Sequence, residues 1–180
     1  MSKKIAFLTA TEGVERVELV DPWDAVQDAG HTPQLLSTDS GEVQTFDHLD
    51  RSEARPVDTV VGDASVDDYD ALVLPGGVAN PDALRMDSAA VAFVRDFVAS
   101  GKPVASICHA AWALVEADCV SGKRVASWPS LKTDIRNAGG RWDDLEVQVC
   151  TANGWTLVTS RTPDDLPAFN REALKAFGLD

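Results

Sequence analysis

The chain has 180 residues and a formal net charge of -13 at pH 7, from 29 acidic and 16 basic residues. Such a charge repels phosphate backbones and anionic lipid headgroups, so we expect neither a nucleic-acid partner nor a membrane partner. No apolar stretch has the length of a transmembrane helix, and the three cysteines at unrelated spacings are typical of a reduced, cytoplasmic protein.

One domain over residues 1–180 is expected, because this length suits a single buried core and no stretch resembles a linker. Helical patterns alternate with short apolar runs, which predicts an α/β fold with a mostly parallel sheet. The first strand is predicted at Lys4–Thr9. An amphipathic helix is predicted at 14–29, and Pro22 should kink it or separate its first turn.

The remaining elements are predicted from apolar runs, helix caps and breaks at glycine or proline. They are a strand at 31–37, short edge strands within 38–70, a strand at Ala71–Leu74, a helix from Asp87 or Ser88 to Ser100, a strand at 103–107, helices at 109–116 and 130–138, a hairpin of 146–150 with 155–159, and a final helix at Leu166–Phe177.

Cys108 stands where the strand at 103–107 turns directly into a helix that begins at His109. A sharp strand-to-helix turn lifts a side chain toward the ligand crevice of an α/β sheet, which is where a nucleophile is placed. The free amides and positive end of the helix favour a thiolate, so the pKa of Cys108 is expected to be lowered. The alternative is a buried structural cysteine. The elbow and the neighbouring histidine favour the nucleophile.

The turn Pro75-Gly76-Gly77 ends the strand before the elbow strand, and its glycines let the backbone approach a ligand closely. If the two strand ends lie side by side, amides of Gly76, Gly77 and His109 would form an oxyanion hole for a tetrahedral intermediate. The alternative is a tight turn that only joins a strand to a helix.

An acid or base must assist the thiol, and His109 is the only histidine near it in sequence. Neighbouring residues at a helix start project about 100° apart, so His109 is expected to point away from Cys108 and to need a carboxylate that orients it. Asp82 is the candidate, from the same subunit or from a neighbour. Glu15 and Glu18 share one face of the first helix, and one of them could reach the thiol with a raised pKa. The alternative for these acids is a solvated helix face.

Trp128 and Arg161 fall in predicted loops that could line the crevice, where Arg161 could bind a substrate carboxylate. A structural role is the equal alternative. The histidines are scattered and no two cysteines are close in sequence, so no metal site is expected. Cys119 and Cys150 are expected in the core.

Several segments together resemble the ThiJ/PfpI family, in its PfpI-type branch. They are Pro75-Gly76-Gly77 with Asp82, Ala105-Ser106-Ile107-Cys108-His109-Ala110, Ser127-Trp128-Pro129-Ser130, the run from Thr159 to Pro167, and Glu15-Arg16-Val17-Glu18-Leu19. The resemblance implies a flavodoxin-like three-layer sandwich of the class I glutamine amidotransferase-like superfamily, a homodimer or larger oligomer, and an easily oxidised cysteine.

The resemblance also implies residue roles. Cys108 would be the nucleophile, His109 its adjacent histidine, Glu18 the glutamate that contacts the thiol, and Asp82 the acid of a triad, in some members supplied by a neighbouring subunit. The family pattern commonly has glutamate where this chain has Asp82. No histidine follows His109, which argues against glutamine amidotransferase activity.

Members of the family are described as glyoxalases that convert methylglyoxal to lactate without a cofactor, protein deglycases, intracellular proteases and stress proteins. The first hypothesis is therefore a thiol hydrolase or lyase without a cofactor, in which Cys108 attacks a small-molecule carbonyl or its adduct on a modified protein. The alternative is an oxidative-stress sensor in which Cys108 is oxidised and Glu18 stabilises the product. An intracellular cysteine peptidase is third, since no peptide-binding insertion is evident.

Overall fold

The computed structural model describes residues 2–179. The strands are β1 (Lys4–Thr9), β2 (Glu12–Glu15), β3 (Thr32–Ser37), β4 (Glu42–Asp47), β5 (Asp50–Pro56), β6 (Thr59–Val60), β7 (Ala71–Leu74), β8 (Val104–Ile107), β9 (Arg124–Val125), β10 (Arg141–Trp142), β11 (Gln148–Cys150) and β12 (Leu157–Ser160). The helices are α1 (Arg16–Asp28), α2 (Ala79–Leu84), α3 (Ser88–Ala99), α4 (Ala111–Glu116), α5 (Lys132–Asn137) and α6 (Leu166–Phe177).

A seven-stranded sheet in the order β11-β12-β8-β7-β1-β3-β6 forms the centre of the fold. Its neighbours pair in parallel except β11 with β12, which form the predicted antiparallel hairpin. When β1, β3, β7, β8 and β12 are renumbered in chain order, their spatial order is 2-1-3-4-5. This is the flavodoxin-like order, and it confirms the predicted α/β architecture.

Helices cover both faces of this sheet, because successive strand residues point to opposite sides. In β1, Ile5 and Phe7 belong to the apolar cluster that contains residues of α1 and α6. Ala6 and Leu8 belong to the other cluster, which contains residues of α3, α4 and α5. Two apolar layers around one sheet make the three-layer sandwich.

The first helix begins later than its periodicity predicts. Residues 12–15 form β2, which pairs in parallel with β4, and β4 pairs with β5 in a second, three-stranded sheet. The helix predicted from residue 14 starts at Arg16. The pairing of β2 with a strand distant in sequence leaves no local pattern. The helical periodicity therefore predicts a helix start closer to the N-terminus than the observed one.

Pro22 lies inside α1, which runs unbroken from Arg16 to Asp28. Of the two predicted effects of Pro22, the separate first turn is wrong, and the kink stays a prediction. Proline removes the hydrogen bond to the carbonyl of Glu18, but Leu19 and Val26 are buried against the sheet and supply the tertiary packing that holds the helix.

Two helices follow the glycine turn where one was predicted. Helix α3 is the predicted one, and the Asp87 carboxylate caps it by accepting a hydrogen bond from the Ala90 amide at 2.8 Å. The short helix α2 has no clear pattern in the sequence, and it places Asn80 and Asp82 beside the glycine turn.

Within residues 2–179, every helix is too short or too polar to cross a membrane. Among these same residues, the His, Cys, Asp and Glu side chains form no group of three that could hold a metal ion.

Candidate active site

The site lies where the strand order reverses, between β1 and β7, at the carboxyl ends of the parallel strands. Open α/β sheets bind ligands at such a position because the connections leave to opposite faces there. A cavity of about 640 Å³ opens here. Its walls come from β2, the start of α1, the β4–β5 hairpin and the four segments that follow β7, β8, β9 and β12. The lining residues are Glu12, Gly13, Glu15, Glu18, Phe46, His48, Leu49, Arg51, Gly77, Val78, Ala79, Cys108, His109, Trp128 and Pro163.

Cys108 forms the predicted elbow between β8 and α4. Its φ of 62° lies in the left-handed region, which costs a non-glycine residue about 1–2 kcal/mol. The amide of Trp128 donates to the Cys108 carbonyl at 3.0 Å and ties the 126–130 loop to this turn. The residue is 7% exposed and lines the cavity, so a ligand in the cavity can reach it although it is buried.

Glu18 is the acid that meets the thiol. Its side chain is fully buried, contacts Cys108, and accepts a hydrogen bond at Oε2 from the Gly77 amide at 3.2 Å. Burial raises the pKa of Glu18 from an ordinary 4.5 to about 8, with a smaller contribution from the nearby Glu15 and against hydrogen bonds with Cys108 and two amides, which lower it. The carboxyl group is therefore neutral near pH 7 and can donate a proton toward the sulfur.

The thiol is not acidic, so the expected lowering of its pKa is wrong. Burial raises the pKa of Cys108 above its ordinary value, and the charge of an ionised Glu18 raises it further. Hydrogen bonds from the amides of His109 and Gly77 lower the pKa of Cys108, but by less than burial and the charge of Glu18 raise it. The free-energy cost of removing the thiolate from water exceeds the stabilisation that it gains from the amides at the start of a short helix.

His109 reaches the thiol directly, which corrects the expectation that it points away. Its Nδ1 lies 3.2 Å from the Cys108 sulfur, and its Nε2 lies 3.4 Å from Ser130 Oγ. The ring stacks on Trp128 with centroids 5.5 Å apart. Burial lowers the pKa of His109, so the ring is neutral. If Nε2–H donates to the serine, Nδ1 is free to accept the thiol proton.

The predicted oxyanion amides surround the sulfur and the Glu18 carboxyl together. Amides of His109 and Gly77 face the sulfur, while those of Gly76 and Gly77 also support the carboxyl group. No larger residue fits at Gly76, because a Cβ atom would collide with Glu18 Oε2 and lie 2.8 Å from Cys108 Cβ. Gly77 has a φ of +83°, and a Cβ atom there would collide with the Gly13 carbonyl.

Asp82 does not meet His109 within one subunit. It lies exposed in α2 and is not among the residues that line the cavity. The group nearest to His109 on its far side is the Ser130 hydroxyl. A role for Asp82 at the thiol would require a second subunit.

The three weaker candidates separate into two groups. Glu15 and Trp128 line the cavity. Arg161 does not, because its guanidinium donates to Asp165 at 3.0 Å and to Asp144 at 2.7 Å. The interpretation of Arg161 as a substrate-carboxylate ligand is replaced by a structural one, in which it fixes the loop between β12 and α6.

The β4–β5 hairpin supplies cavity residues that sequence reasoning missed. Phe46, His48, Leu49 and Arg51 form one wall, and the amide of His48 donates to Glu15 Oε2 at 3.1 Å. In the sequence, nothing marked these four residues beyond their place in the polar segment 38–70, which was expected to hold short edge strands. The pairing of β4 with β2 brings them to the thiol.

The chain is similar to known proteins over almost its whole length. The sequence model of the DJ-1/PfpI family matches residues 3–176. Protein/nucleic acid deglycase 2 of Escherichia coli strain K12 is 42% identical over 178 residues, which are 99% of each chain. In Bacillus subtilis strain 168, a putative cysteine protease is 40% identical over 174 residues, 97% of this chain and 98% of that protein. General stress protein 18 of the same organism is 39% identical over 174 residues, 97% of this chain and 97% of that protein.

The fold also matches solved structures. One is a two-domain protein from Anabaena variabilis that contains DJ-1/ThiJ/PfpI-like and ferritin-like domains. The TM-score is 0.89 at 29% sequence identity, and the match covers 98% of this chain and 48% of that one.

Proposed function

The chain belongs to the DJ-1/PfpI family, and from that premise we propose that it is a cysteine-dependent enzyme acting without a cofactor on reactive dicarbonyl compounds or on their adducts with amines. One observation carries the proposal. At the base of the cavity, the thiol of Cys108 lies between a neutral imidazole that can accept its proton and a neutral carboxyl group that can donate one. Addition of a thiol to a carbonyl needs both transfers.

The first step forms a hemithioacetal. Nδ1 of His109 takes the thiol proton as sulfur bonds to the aldehyde carbon, and the carbonyl oxygen receives a proton from the carboxyl group of Glu18. This transfer overcomes the raised thiol pKa, because the proton leaves as the bond forms. Amides of Gly77 and His109 lie close enough to stabilise the developing negative oxygen.

The second step moves hydrogen within the substrate. Ionised Glu18 removes the proton from the former aldehyde carbon while protonated His109 gives its proton to the neighbouring ketone oxygen. Glu18 then returns its proton to the neighbouring carbon, and the hydroxyl proton on the former aldehyde carbon passes back to His109. The product is a thioester of Cys108, which water hydrolyses to a hydroxy acid and the free thiol. For methylglyoxal, the sum is one methylglyoxal and one water giving one lactate and one proton, with no external oxidant or reductant.

The same site suits adducts of dicarbonyls with amines. When the carbinolamine carbon–nitrogen bond breaks, the nitrogen takes a proton, the amine leaves, and the freed aldehyde enters the steps above. The name of the Escherichia coli relative, a protein and nucleic acid deglycase, supports this reaction class. The cavity of about 640 Å³ has room for a small adduct.

The test is lactate formation from methylglyoxal in a buffer without amines, since buffer amines consume the aldehyde. Purified wild-type protein is compared with Cys108→Ala and with Cys119→Ala as the matched cysteine control. We expect turnover in the wild type and in Cys119→Ala, and loss in Cys108→Ala. Full activity in Cys108→Ala would refute a thiol mechanism.

A redox sensor is the second candidate, because a single cysteine is exposed to the cavity beside a proton-donating carboxyl group. Peroxide would convert the Cys108 thiol to a sulfenic acid with release of water, and Glu18 would hydrogen bond to the added oxygen. The stress-protein name of one Bacillus subtilis relative supports it. A peptidase is third, although another relative is named a putative cysteine protease.

Assembly and location belong to the same proposal. We propose a homodimer or larger homo-oligomer, in which Asp82 of one subunit could approach His109 of another. The three cysteines are free, which supports a reducing, cytoplasmic location.

A further inference from the structure

Asn80 is a fully buried amide in the first turn of α2. Its side chain makes three hydrogen bonds to backbone groups. Oδ1 accepts from the Ala10 amide at 2.7 Å, and Nδ2 donates to the carbonyls of Pro75 at 2.8 Å and Gly76 at 3.0 Å. A buried amide with both its donors used has one favourable orientation, so it holds the three backbone groups in place.

These three groups belong to the ends of two neighbouring strands. Ala10 follows β1, while Pro75 and Gly76 follow β7, and β1 pairs with β7 in parallel. Asn80 therefore connects the two strand ends at the point where the sheet reverses its order.

The Gly76 carbonyl and the Gly77 amide belong to one planar peptide group. A hydrogen bond that fixes the carbonyl also fixes the direction of the amide. That amide donates to Glu18 Oε2 at 3.2 Å and faces the sulfur of Cys108. Two adjacent glycines would otherwise let this peptide rotate, because glycine occupies both signs of φ.

We infer that Asn80 is a positioning residue, which orients the Gly76–Gly77 peptide so that its amide supports both the Glu18 carboxyl and the Cys108 sulfur. It acts through the backbone and needs no contact with substrate. The Pro75 carbonyl bond restrains the preceding peptide, whose Gly76 amide also supports Glu18. The inference rests on the proposed function only in taking Cys108 as the reactive thiol.

The test is the pH dependence of Cys108 alkylation by iodoacetamide, followed by mass spectrometry of the Cys108 peptide. Losing the aligned Gly77 amide removes one hydrogen bond to the thiolate, so Asn80→Ala should move the alkylation midpoint to higher pH. Below the midpoint we expect the rate to fall about tenfold, the size of effect that one hydrogen bond to a charged group has. Turnover should fall with it.

Leu84→Ala is the matched control. Leu84 is buried in the same helix and contributes packing without polar side-chain atoms. It should lower the thermal midpoint of unfolding and leave the alkylation midpoint unchanged. A structural role alone would make the two variants behave alike.

A folded Asn80→Ala protein with the wild-type alkylation midpoint would overturn the inference. If that variant does not fold, Asn80→Ser is judged by the same criterion, because a serine is too short to reach both strand ends. The alkylation readout does not depend on turnover. A wild-type protein inactive on dicarbonyls would thus contradict the proposed function while the role of Asn80 is still decided.

Discussion

The carboxyl group of Glu18 lies against the thiol of Cys108, although the two residues come from α1 and from the turn after β8. Both side chains are buried, and burial raises the pKa of each. The charge of an ionised Glu18 raises the pKa of Cys108 further, whereas the hydrogen bond with Cys108 lowers the pKa of Glu18. Because both groups stay protonated and lie in contact, they are suited to exchanging protons with a bound substrate.

Glu18 makes stability depend on pH in a defined direction. Its pKa is about 8 in the folded protein against an ordinary 4.5, so the folded state binds the proton more strongly. Between these values the unfolded chain has lost the proton while the folded chain keeps it, and stability falls as pH rises. The slope from this group is at most about 1.4 kcal/mol per pH unit.

The measurement compares the free energy of unfolding of wild-type protein with that of Glu18→Gln across this range. Subtracting the two cancels the other titrating groups. We expect the wild type to lose stability relative to Glu18→Gln as pH rises from 4.5 to about 8, with no further change above that. A constant difference would contradict the raised carboxyl pKa.

His109 should act as a neutral base. Burial lowers its pKa, so the rate should fall only when the pH drops below the ordinary titration range of histidine. We expect His109→Gln to lower kcat by about 100-fold or more and to abolish that acidic limb, as measured by lactate formation. Ser130→Ala, which removes only the contact to Nε2, should have a smaller effect. Unchanged kcat in His109→Gln would exclude this role.

Peroxide should add oxygen to Cys108 before the other cysteines. Cys108 lines the cavity. Cys150 is buried at the end of β11, where its sulfur accepts a hydrogen bond from the Arg124 amide at 3.4 Å, and the Cys119 thiol donates to the Ala117 carbonyl at 3.3 Å. Peptide mass spectrometry after mild peroxide measures the order, with Cys108→Ala as the control. Prior oxidation of Cys119 or Cys150 would count against a sensor role.

Arg161 should matter for stability and not for substrate affinity. Arg161→Gln leaves the buried Asp165 carboxylate without its partner, which costs about 1–3 kcal/mol. Chemical denaturation should show this loss while KM stays unchanged. Arg171→Gln removes an exposed pair with Glu172 and should cost less than about 1 kcal/mol. A severalfold rise in KM in Arg161→Gln would restore a substrate role.

Mixed oligomers can test whether Asp82 acts across subunits. Subunits with Asp82→Ala keep Cys108, and subunits with Cys108→Ala keep Asp82. If the acid comes from a neighbour, refolding the two inactive variants together restores a fraction of turnover, because some sites receive both intact residues. If the mixture is as inactive as its components, Asp82 does not complement across the interface.

The local sequence predicts several of the strands, turns and helices around the site. The apolar run before Cys108 and the helix after it specify the elbow, because strand, turn and helix start are set by neighbouring residues. Pro75-Gly76-Gly77 likewise marks a turn where only glycine fits. The final helix, Leu166–Phe177, agrees with its predicted bounds, since buried apolar residues recur along its length, a proline stands in its first turn and Gly178 ends it in the left-handed conformation.

Tertiary structure decided which side chains meet and in what state of ionisation. Glu15 and Glu18 share a pattern, yet only Glu18 is carried into the core beside the thiol. Burial raises the pKa of Cys108, where the sequence predicts a lowered one. The ion pair with Asp165 holds the Arg161 guanidinium outside the cavity. Desolvation and contacts between distant segments depend on how strands pair across the sheet, and neither leaves a signal in the residues next to the site.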